Sequence, residues 1–215
     1  QTAFVDVTPD AQVSPDRRAE LILHGRVLPA SNATFFGEID GVRVVYKPIK
    51  GERPLWDFPD GTLAGREVAA YLVSEVLGWQ IVPPTILRDG PHGPGMVQRW
   101  CEIDETQPAV RIVPHGSAES GWCRVVDGLD AADQLVSLVH EDSASLRRMA
   151  VFDVVVNNAD RKGGHVLAMP DGHRHGVDHG LTFHVEDKLR TVLWGWSGER
   201  LNAEEHGGLS RLRAA

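Results

Sequence analysis

The chain has 215 residues, of which 42% are hydrophobic and 24% charged, enough to build one large domain or two small lobes. Its formal charge of −8 argues against nucleic acid or an anionic membrane surface as the main partner. Two cysteines, Cys101 and Cys123, are too few for a disulfide framework, and no apolar run approaches the ~20 residues of a membrane-spanning helix. The first residues lack a signal-peptide pattern, so the composition predicts a cytoplasmic protein.

The first part of the chain is rich in strand patterns. Residues 21–28 favour one strand, and two β-rich arms at 34–39 and 42–47 flank Asp40-Gly41. Asp-Gly is a preferred dipeptide of two-residue hairpin turns, because both central residues need a positive φ. We therefore predict an antiparallel hairpin in which the numbers of facing residues sum to 81.

This register places Lys47 opposite Thr34, at the end of a short polar loop. Such a loop can offer backbone N–H groups and hydroxyls to a phosphate, with the lysine ammonium group beneath it. The loop lacks the glycines of known phosphate-binding motifs, so from the loop alone an ordinary polar turn is the favoured interpretation. The candidate nucleotide-binding residues of this region are Ser31, Asn32, Ala33, Thr34 and Lys47.

A helix is predicted from Leu63 to Leu77, ended by Gly78 at the position where glycine commonly closes a helix. Its apolar spacing predicts a core-facing stripe that includes Val68, Leu72, Val76 and Leu77. Glu67 lies near the helix N-terminus, where the helix dipole alone favours an acidic residue. The functional alternative is an ion pair with Lys47 that would aim the ammonium group at a nucleotide phosphate.

Two more strand patterns, 81–87 and 95–100, surround a turn rich in glycine and proline. The strand-rich composition ends there, so residues 1–101 are predicted to form an N-terminal lobe with an antiparallel sheet and a helix. The join to the next lobe would supply backbone hydrogen bonds to an adenine edge, because clefts between lobes are common ligand sites. The candidate positions are Met96, Val97, Gln98 and Arg99.

Residues 102–215 are predicted to form a mainly helical second lobe. After a loop-rich stretch, helical patterns cover 131–139 and 143–156, and Ser143 can cap the second of these helices. The whole chain is therefore assigned to the α+β class.

The most informative segment follows the second of these helices. An apolar run, Val154–Val156, leads into a polar loop that holds Asp160-Arg161 and, five residues after the aspartate, His165. Phosphoryl transfer needs a carboxylate to orient the attacking hydroxyl and two more groups to hold the metal ion on the nucleotide phosphates. Asp160 is the candidate catalytic residue, and His165 and Asp178 are the candidate metal ligands.

A second predicted hairpin brings the two candidate ligands together. Asp171-Gly172 lies between two short arms, and as a two-residue turn it makes the numbers of facing residues sum to 343. His165 and Asp178 satisfy that sum, so their Cβ atoms are expected ~5 Å apart. A slip of one residue would turn one arm to the opposite face, so this prediction has little tolerance.

These residues resemble the protein-kinase-like superfamily on its phosphatidylinositol 3-/4-kinase-like and HipA-like side, and most closely a small actinobacterial phosphatidylinositol 3- and 4-kinase-like family. The resemblance runs from about Leu28 to Phe183, and its sharpest segment is residues 158–165. It implies a two-lobed kinase-like fold with a metal-binding hairpin. It also implies ATP with Mg²⁺ or Mn²⁺ as the cofactor and a hydroxyl-bearing acceptor.

The same resemblance implies a role for each candidate residue. Asp160 would be the catalytic base or hydroxyl orienter, and Lys47 the phosphate-binding lysine with Glu67 as its helix partner. His165 would be the first metal ligand and Asp178 the second. Histidine replaces the asparagine of the family pattern, and imidazole suits Mn²⁺ better than Mg²⁺. A shifted metal preference and a nucleotide-binding pseudokinase therefore both remain open.

The acceptor is judged from the segment that follows the metal-binding motif. Residues 181–190 contain two cations, Lys188 and Arg190, balanced by Glu186 and Asp187. A lipid kinase would be expected to have a basic segment there. We therefore expect a protein, including the chain itself, or a small molecule as the acceptor, with a phosphatidylinositol lipid as the alternative.

Histidines around Asp178 suggest a function of another class. Alternating histidines on a strand share a face, as a metal-binding hydrolase would require. Because such short patterns often match by chance, the kinase interpretation is preferred. The histidines of this alternative are His173, His175, His179 and His184.

Overall fold

The computed structural model describes residues 19–28 and 32–215. Within these ranges the chain forms ten β-strands and three α-helices, and all of the paired strands run antiparallel. The predicted α+β class is confirmed at this level. No helix in these ranges is both long and apolar enough to cross a membrane.

The N-terminal part is built on a five-stranded sheet. Its strands are β1 (Ile22–Arg26), β2 (Phe35–Ile39), β3 (Val42–Pro48), β4 (Thr85–Gly90) and β5 (Gly93–Arg99), in the spatial order β1-β2-β3-β5-β4. The β2–β3 hairpin has the predicted register, since Phe35 faces Tyr46. Asp40 and Gly41 have φ angles of 49° and 77°, which a two-residue turn of this type requires.

The helix α1 (Leu63–Leu77) packs against β4 and β5. The carboxylate of Glu52 accepts hydrogen bonds from the backbone N–H groups of Leu63 and Ala64, at 3.2 and 2.9 Å. The negative charge at this end also interacts favourably with the helix dipole. The helix ends at Gly78, whose φ of 68° is the left-handed conformation that glycine adopts without strain. Both predicted ends are confirmed.

The buried face of α1 differs from the predicted stripe. Leu77 is fully buried as expected, but Leu72 is 48% exposed, so its assignment to the core is wrong. The helix buries polar residues that have partners elsewhere in the fold: the Ser74 hydroxyl accepts the N–H groups of Ile81 and Val82 at 2.8 and 3.1 Å. The buried residues are Leu63, Ala64, Glu67, Ala70, Tyr71, Ser74 and Leu77.

The second half of the chain is not mainly helical, and that prediction is wrong. It contains a sheet of β6 (Val110–Pro114), β7 (Trp122–Leu129) and β8 (Leu135–Glu141), with β8 in the middle. The helix predicted at 131–139 is a turn followed by β8. The Asp130 carboxylate accepts the N–H groups of Ala132 and Gln134 at 2.8 and 2.9 Å, which stabilises a tight turn. Strand β8 then satisfies its backbone against a neighbour on each side.

The remaining elements are α2 (Ala144–Val155), β9 (Val166–Ala168), β10 (Arg174–Gly176) and α3 (Ala203–Ala214). The predicted cap of α2 is confirmed, because the Ser143 hydroxyl accepts the Leu146 N–H at 3.2 Å. Helix α3 packs on α1. One core cluster contains buried residues of α1, α2 and β9, so it connects the first sheet's helix to the segment that follows α2.

Leu77 and Leu72 test which face of α1 is buried. Leu77→Ala should lower the free energy of unfolding by about 2–5 kcal/mol, because it removes fully buried methyl groups and leaves a cavity. Leu72→Ala is the matched control in the same helix and should change that free energy by about 0.5 kcal/mol or less. Urea denaturation followed by circular dichroism measures both. Equal losses would show that the helix is rotated from this orientation.

His140, on β8, joins the three-stranded sheet to the segment Trp194–Trp196. Its Nε2 accepts the Gly195 N–H at 3.0 Å, and its Nδ1 lies 2.9 Å from the Glu141 carbonyl oxygen. Because Nε2 accepts a hydrogen bond, the ring is neutral and its proton is on Nδ1. Burial lowers the pKa of His140, since water does not reach the ring to stabilise the imidazolium form.

Protonation of His140 should weaken the fold in acid. The unfolded chain takes up the proton near pH ~6.5, whereas the folded ring takes it only at lower pH. The free energy of unfolding should therefore decrease as the pH falls below about 6.5. His140→Gln removes this proton uptake, so its unfolding free energy should fall less steeply between about pH 7 and pH 5. Urea titrations across this range provide the measurement, and parallel curves for the two proteins would contradict the expectation.

Candidate functional site

A cleft of about 450 Å³ lies between the five-stranded sheet and the β9–β10 hairpin. This volume is in the range of small-molecule and cofactor sites. Charged and polar side chains enter it from both sides. The lining residues are Asn32, Thr34, Val45, Lys47, Gln98, Arg99, Trp100, Cys101, Ile103, Lys162, His165, Leu167, Val177 and Asp178.

Lys47, on β3, joins the two sides of the cleft. Its Nζ lies 2.7 Å from Oε1 of Glu67 on α1 and 3.0 Å from Oδ1 of Asp178, after β10. The predicted ion pair with Glu67 is therefore present. Burial by itself would lower the pKa of Lys47, but the two carboxylates outweigh it and raise that pKa, so the ammonium group stays charged. Oε2 of Glu67 accepts the His179 N–H at 2.8 Å, so the glutamate is held from a second direction.

The β9–β10 hairpin does not have the predicted register. Arg174 faces Ala168, so the numbers of facing residues sum to 342 and not 343. The connection contains three residues, 170–172, because the Met169 N–H bonds to the His173 carbonyl at 3.0 Å. The Gly172 N–H bonds to the Met169 carbonyl at 2.9 Å and forms a four-residue turn within it. Pro170 explains the difference: its fixed φ suits the second position of a four-residue turn, and Gly172 closes it with a φ of 87°.

His165 and Asp178 nevertheless meet, with Nε2 and Oδ2 3.4 Å apart. The expected proximity is confirmed, but it does not come from the expected strand pairing. Neither residue lies in β9 or β10: His165 ends a short 3-10 turn, Gly163–His165, and Asp178 has a φ of 62°. These local conformations compensate for the one-residue change of register.

The electrostatic state of this pair suits metal binding. Burial lowers the pKa of His165, and Arg161 and Lys162 lower it further while Asp178 opposes them. The ring is therefore neutral near pH 7. Burial alone would raise the pKa of Asp178, but Lys47 and His165 outweigh it and lower that pKa, so the carboxylate is charged. Nδ1 of His165 lies 3.0 Å from the Asp160 carbonyl oxygen, which fixes the ring orientation.

Asp160 lies in the loop after α2, between two cations. Its Oδ2 is 2.7 Å from Nζ of Lys162, and its Oδ1 is 3.0 Å from Nη2 of Arg190. Lys162 lines the cleft, so Asp160 borders it through this neighbour. The Asp160 N–H bonds to Oδ1 of Asn158 at 3.0 Å, which holds the backbone of the loop. The sequence does not predict either ion pair of Asp160, and Arg190 lies thirty residues away along the chain.

Arg161 lies under this loop and is 2% exposed. Its Nη2 lies 2.8 Å from Oδ1 of Asp153 on α2, and its Nε is 3.1 Å from both oxygens of that carboxylate. Its Nη1 donates to the carbonyl groups of His165 and Val177, at 3.3 and 3.2 Å. Arg161 therefore braces the site, because one guanidinium group connects α2 to both arms around the cleft.

His179 completes this buried network. Its Nε2 lies 2.6 Å from Nη2 of Arg161, and the ring is fully buried. Burial, together with the Arg161 charge, holds the pKa of His179 well below its usual range, so the ring is a neutral acceptor. The sequence signal for the network was Asp153, an acid at a core-facing position of α2. A buried carboxylate requires a cationic or hydrogen-bonding partner.

The candidate nucleotide-binding residues are only partly at the cleft. Asn32, Thr34, Gln98 and Arg99 line it, whereas Ser31 is outside the described residues. The side chains of Ala33, Met96 and Val97 do not line the cleft, so only their backbone groups could contact a nucleotide. Ala33 packs against Gly51, Met96 is fully buried, and Val97 belongs to a core cluster of the sheet. Residues just beyond β5 provide the wall instead, namely Trp100, Cys101 and Ile103.

The Cys101 thiol is not an activated nucleophile. Burial raises the pKa of Cys101 to about 11, with smaller effects from neighbouring charges. A thiolate is the reactive form of cysteine, and at neutral pH this thiol stays protonated.

The four histidines of the alternative hydrolase site do not form one cluster. His173 and His175 are adjacent, with ring centroids 4.4 Å apart, and they bond to the Gln80 and Ile81 carbonyl groups at 2.9 and 3.2 Å. His184 bonds instead to the Asp57 carbonyl at 2.8 Å, and His179 is buried against Arg161. In residues 19–28 and 32–215 there is no group of three or more His, Cys, Asp or Glu side chains that could hold a metal. The structure therefore gives the histidine-rich hydrolase no site.

Comparison with known proteins places the chain in a family. It is 53% identical over 196 residues to Protein Rv2133c of Mycobacterium tuberculosis (strain ATCC 25618 / H37Rv), a match that covers 85% of this chain and 70% of the relative. The chain belongs to the family of this mycobacterial protein. No family model and no solved structure matches it.

The buried pair under the loop should contribute strongly to stability. Arg161→Ala and Asp153→Ala should each lower the free energy of unfolding by about 3–5 kcal/mol, because each leaves an uncompensated buried charge. The double variant should lose less than the sum of the two. Arg124→Ala is the control, since it removes an exposed ion pair with Asp127 and should cost about 1 kcal/mol or less. Urea denaturation of all four variants provides the test, and small additive losses would contradict it.

Proposed function

We propose that this protein transfers the γ-phosphate of ATP to a hydroxyl group. The observation that carries the proposal is Lys47, which lies 2.7 Å from Glu67 and 3.0 Å from Asp178 at one end of the cleft. A lysine bridging a helix glutamate and an aspartate that can hold a metal ion is the arrangement required to position nucleotide phosphates. Asp160 lies in the adjoining loop and would supply the carboxylate that phosphoryl transfer requires.

The architecture is interpreted as a two-lobed kinase-like fold. Residues 1–101 would form the nucleotide-covering lobe, with a five-stranded antiparallel sheet, a lysine on β3 and a glutamate on α1. Residues 102–215 would form the second lobe, with the Asp160 loop and the β9–β10 hairpin. The support is the resemblance of the sequence motifs and their meeting at one cleft. The sheet β6-β8-β7 is an addition that the resemblance did not predict.

Each group has a part in the proposed reaction. The Lys47 ammonium group would contact a phosphate oxygen, and Glu67 would hold it in place. Gln98, Arg99 and Trp100 line the wall where the adenine would lie. The oxygen of the acceptor hydroxyl forms a bond to the γ-phosphorus, the bond from that phosphorus to the β–γ bridging oxygen breaks, and ADP leaves. Asp160 would accept the proton of the attacking hydroxyl.

The donor set fits a divalent ion that arrives with the nucleotide. His165 Nε2 and Asp178 Oδ2 are 3.4 Å apart, one neutral imidazole and one carboxylate. Magnesium and similar ions take one or two protein ligands and complete their shell with phosphate oxygens and water. The ion would neutralise charge on the phosphates. The imidazole favours Mn²⁺ over Mg²⁺ relative to an oxygen donor.

Two alternative functions would use the same site but differ in whether, or to what, the phosphate is transferred. A nucleotide-binding pseudokinase would use the same cleft without transfer, and the histidine at position 165 favours that alternative. A phosphatidylinositol lipid kinase is less favoured, because the cations of segment 181–190 are already paired: Lys188 with Asp57 and Glu186, and Arg190 with Asp160. A protein or small-molecule acceptor is therefore the preferred form of the proposal.

Two pairs of variants test the transfer step, with ATP in the presence of Mg²⁺ or Mn²⁺. Asp160→Asn should reduce labelled phosphate transfer by about 10²–10⁴-fold, because the hydroxyl loses its base, while nucleotide binding remains. Asp133→Asn, an exposed turn residue, is its control.

Lys47→Met should weaken nucleotide binding by about 10–100-fold through loss of a charge-assisted contact. Lys50→Met, three residues away and exposed, is the control for that charge.

Calorimetric titration of nucleotide separates the alternatives. Nucleotide binding without transfer in the parent protein would identify a pseudokinase. Unchanged transfer in Asp160→Asn, or binding unaffected by Lys47→Met, would refute the assignment of these residues.

A further inference from the structure

A second cleft lies beside the Asp160 loop, with Ala159 in its lining. Its volume is about 390 Å³, and Leu55, Trp56, Leu181, Lys188 and Arg190 line it as well. Arg190 connects this cleft to the catalytic loop, because its Nη2 is 3.0 Å from Oδ1 of Asp160 and its Nε donates to the Ala159 carbonyl at 3.0 Å.

The Asp160 carboxylate is held by one cation from each of the two clefts, although it lines neither itself. Its Oδ2 is held by Lys162, which lines the first cleft, and its Oδ1 is held by Arg190, which lines the second. In-line transfer places the attacking oxygen on the opposite side of the γ-phosphorus from the leaving group. An acceptor in the second cleft would approach the Asp160 loop from a cleft separate from the one proposed for the nucleotide.

Trp56 gives this second cleft an open aromatic surface. The residue is 92% exposed, although a tryptophan side chain usually buries much of its area. The loop that holds it is tied down: Asp57 forms an ion pair with Lys188 at 3.0 Å, and its carbonyl oxygen lies 2.8 Å from Nε2 of His184. Nζ of Lys188 lies 5.0 Å from the centre of the Trp56 ring.

Both cations of this cleft are already paired with carboxylates. Lys188 is paired with Asp57 and Glu186, and Arg190 is paired with Asp160. An anionic acceptor would have to compete with these carboxylates for each cation. A neutral molecule could instead accept from the cations and donate to the carboxylates without breaking a pair.

We infer that the second cleft binds the acceptor and that the acceptor is a neutral, polyhydroxylated ring compound of the saccharide class. A sugar ring has an apolar face that can lie on the Trp56 indole and hydroxyl groups that can bond to the paired charges. One of those hydroxyl groups would lie next to Asp160. The assignment of this compound as the phosphate acceptor rests on the proposed function, whereas the saccharide-binding site itself does not depend on catalysis.

Saturation-transfer NMR tests the binding site without requiring activity. The probes are methyl β-D-glucopyranoside and maltose as neutral sugars, and glucose 6-phosphate as an anionic one. The neutral probes should bind the parent protein and Trp56→Phe, which keeps an aromatic face. Trp56→Ala should lower the affinity about tenfold, the upper end of what one aromatic contact supplies. Trp194→Ala, a half-exposed tryptophan of another surface region, should bind as the parent does.

The outcomes separate the two proposals. Absence of neutral-sugar binding, equal binding by Trp56→Ala, or tighter binding of the anionic sugar would overturn the saccharide site. ADP release is then measured with the bound sugar, ATP and Mn²⁺. Sugar binding that depends on Trp56 but yields no ADP would retain the saccharide site and refute the sugar as the phosphate acceptor. Transfer to a protein or lipid that is insensitive to Trp56→Ala would refute the acceptor site and retain the phosphotransferase.

Discussion

The geometry of the candidate site depends on the buried ion pair between Arg161 and Asp153. Both side chains are fully shielded from water, so the pair is stable only because other groups satisfy the remaining donors and acceptors. Thr191 donates to Asp153 at 2.9 Å, and Arg161 also reaches His179 and two backbone carbonyl groups. One guanidinium group thereby fixes the end of α2, the Asp160 loop and the chain around Asp178 relative to one another. A site built from separate loops becomes rigid because these loops share a single buried cation.

Local signals were read correctly from the sequence because their physical cause lies within a few residues. The Asp40-Gly41 turn, the Ser143 cap and the Gly78 helix end each depend on a backbone conformation or one short hydrogen bond. The wrong predictions concern segments whose structure depends on partners that are distant in the sequence. Leu72 was assigned to the core by spacing, but α1 buries Ser74 instead because Ser74 has partners in the chain after the helix. The 131–139 pattern was assigned to a helix, but β8 has a strand on each side to satisfy its backbone.

The proximity of the two candidate metal ligands is predicted correctly, but from a strand register that is wrong. His165 and Asp178 do meet, but Pro170 lengthens the turn and changes the register by one residue. What restores the proximity is the local geometry of both residues, since His165 ends a 3-10 turn and Asp178 has a φ of 62°. A positive φ at a residue other than glycine is uncommon and strained, and it persists only where the surroundings enforce it. Lys47 helps to hold Asp178 in this conformation, because its ammonium group contacts the Asp178 carboxylate from across the cleft.

Lys47 is shared by two carboxylates, and this affects how a nucleotide would bind. One ammonium group neutralises two carboxylates, Glu67 and Asp178, so these three groups together have a formal charge of −1. Lys162 compensates part of this charge, but it is 63% exposed and already paired with Asp160. A triphosphate that entered without a counterion would meet Asp178 at close range, where repulsion is only weakly screened. Under the proposed function, Asp178 would hold a divalent ion, whose charge would offset this repulsion, and Lys47 would contact a phosphate oxygen. The Lys47–Asp178 contact keeps the aspartate in place in the absence of nucleotide. Nucleotide affinity would therefore depend steeply on the divalent ion.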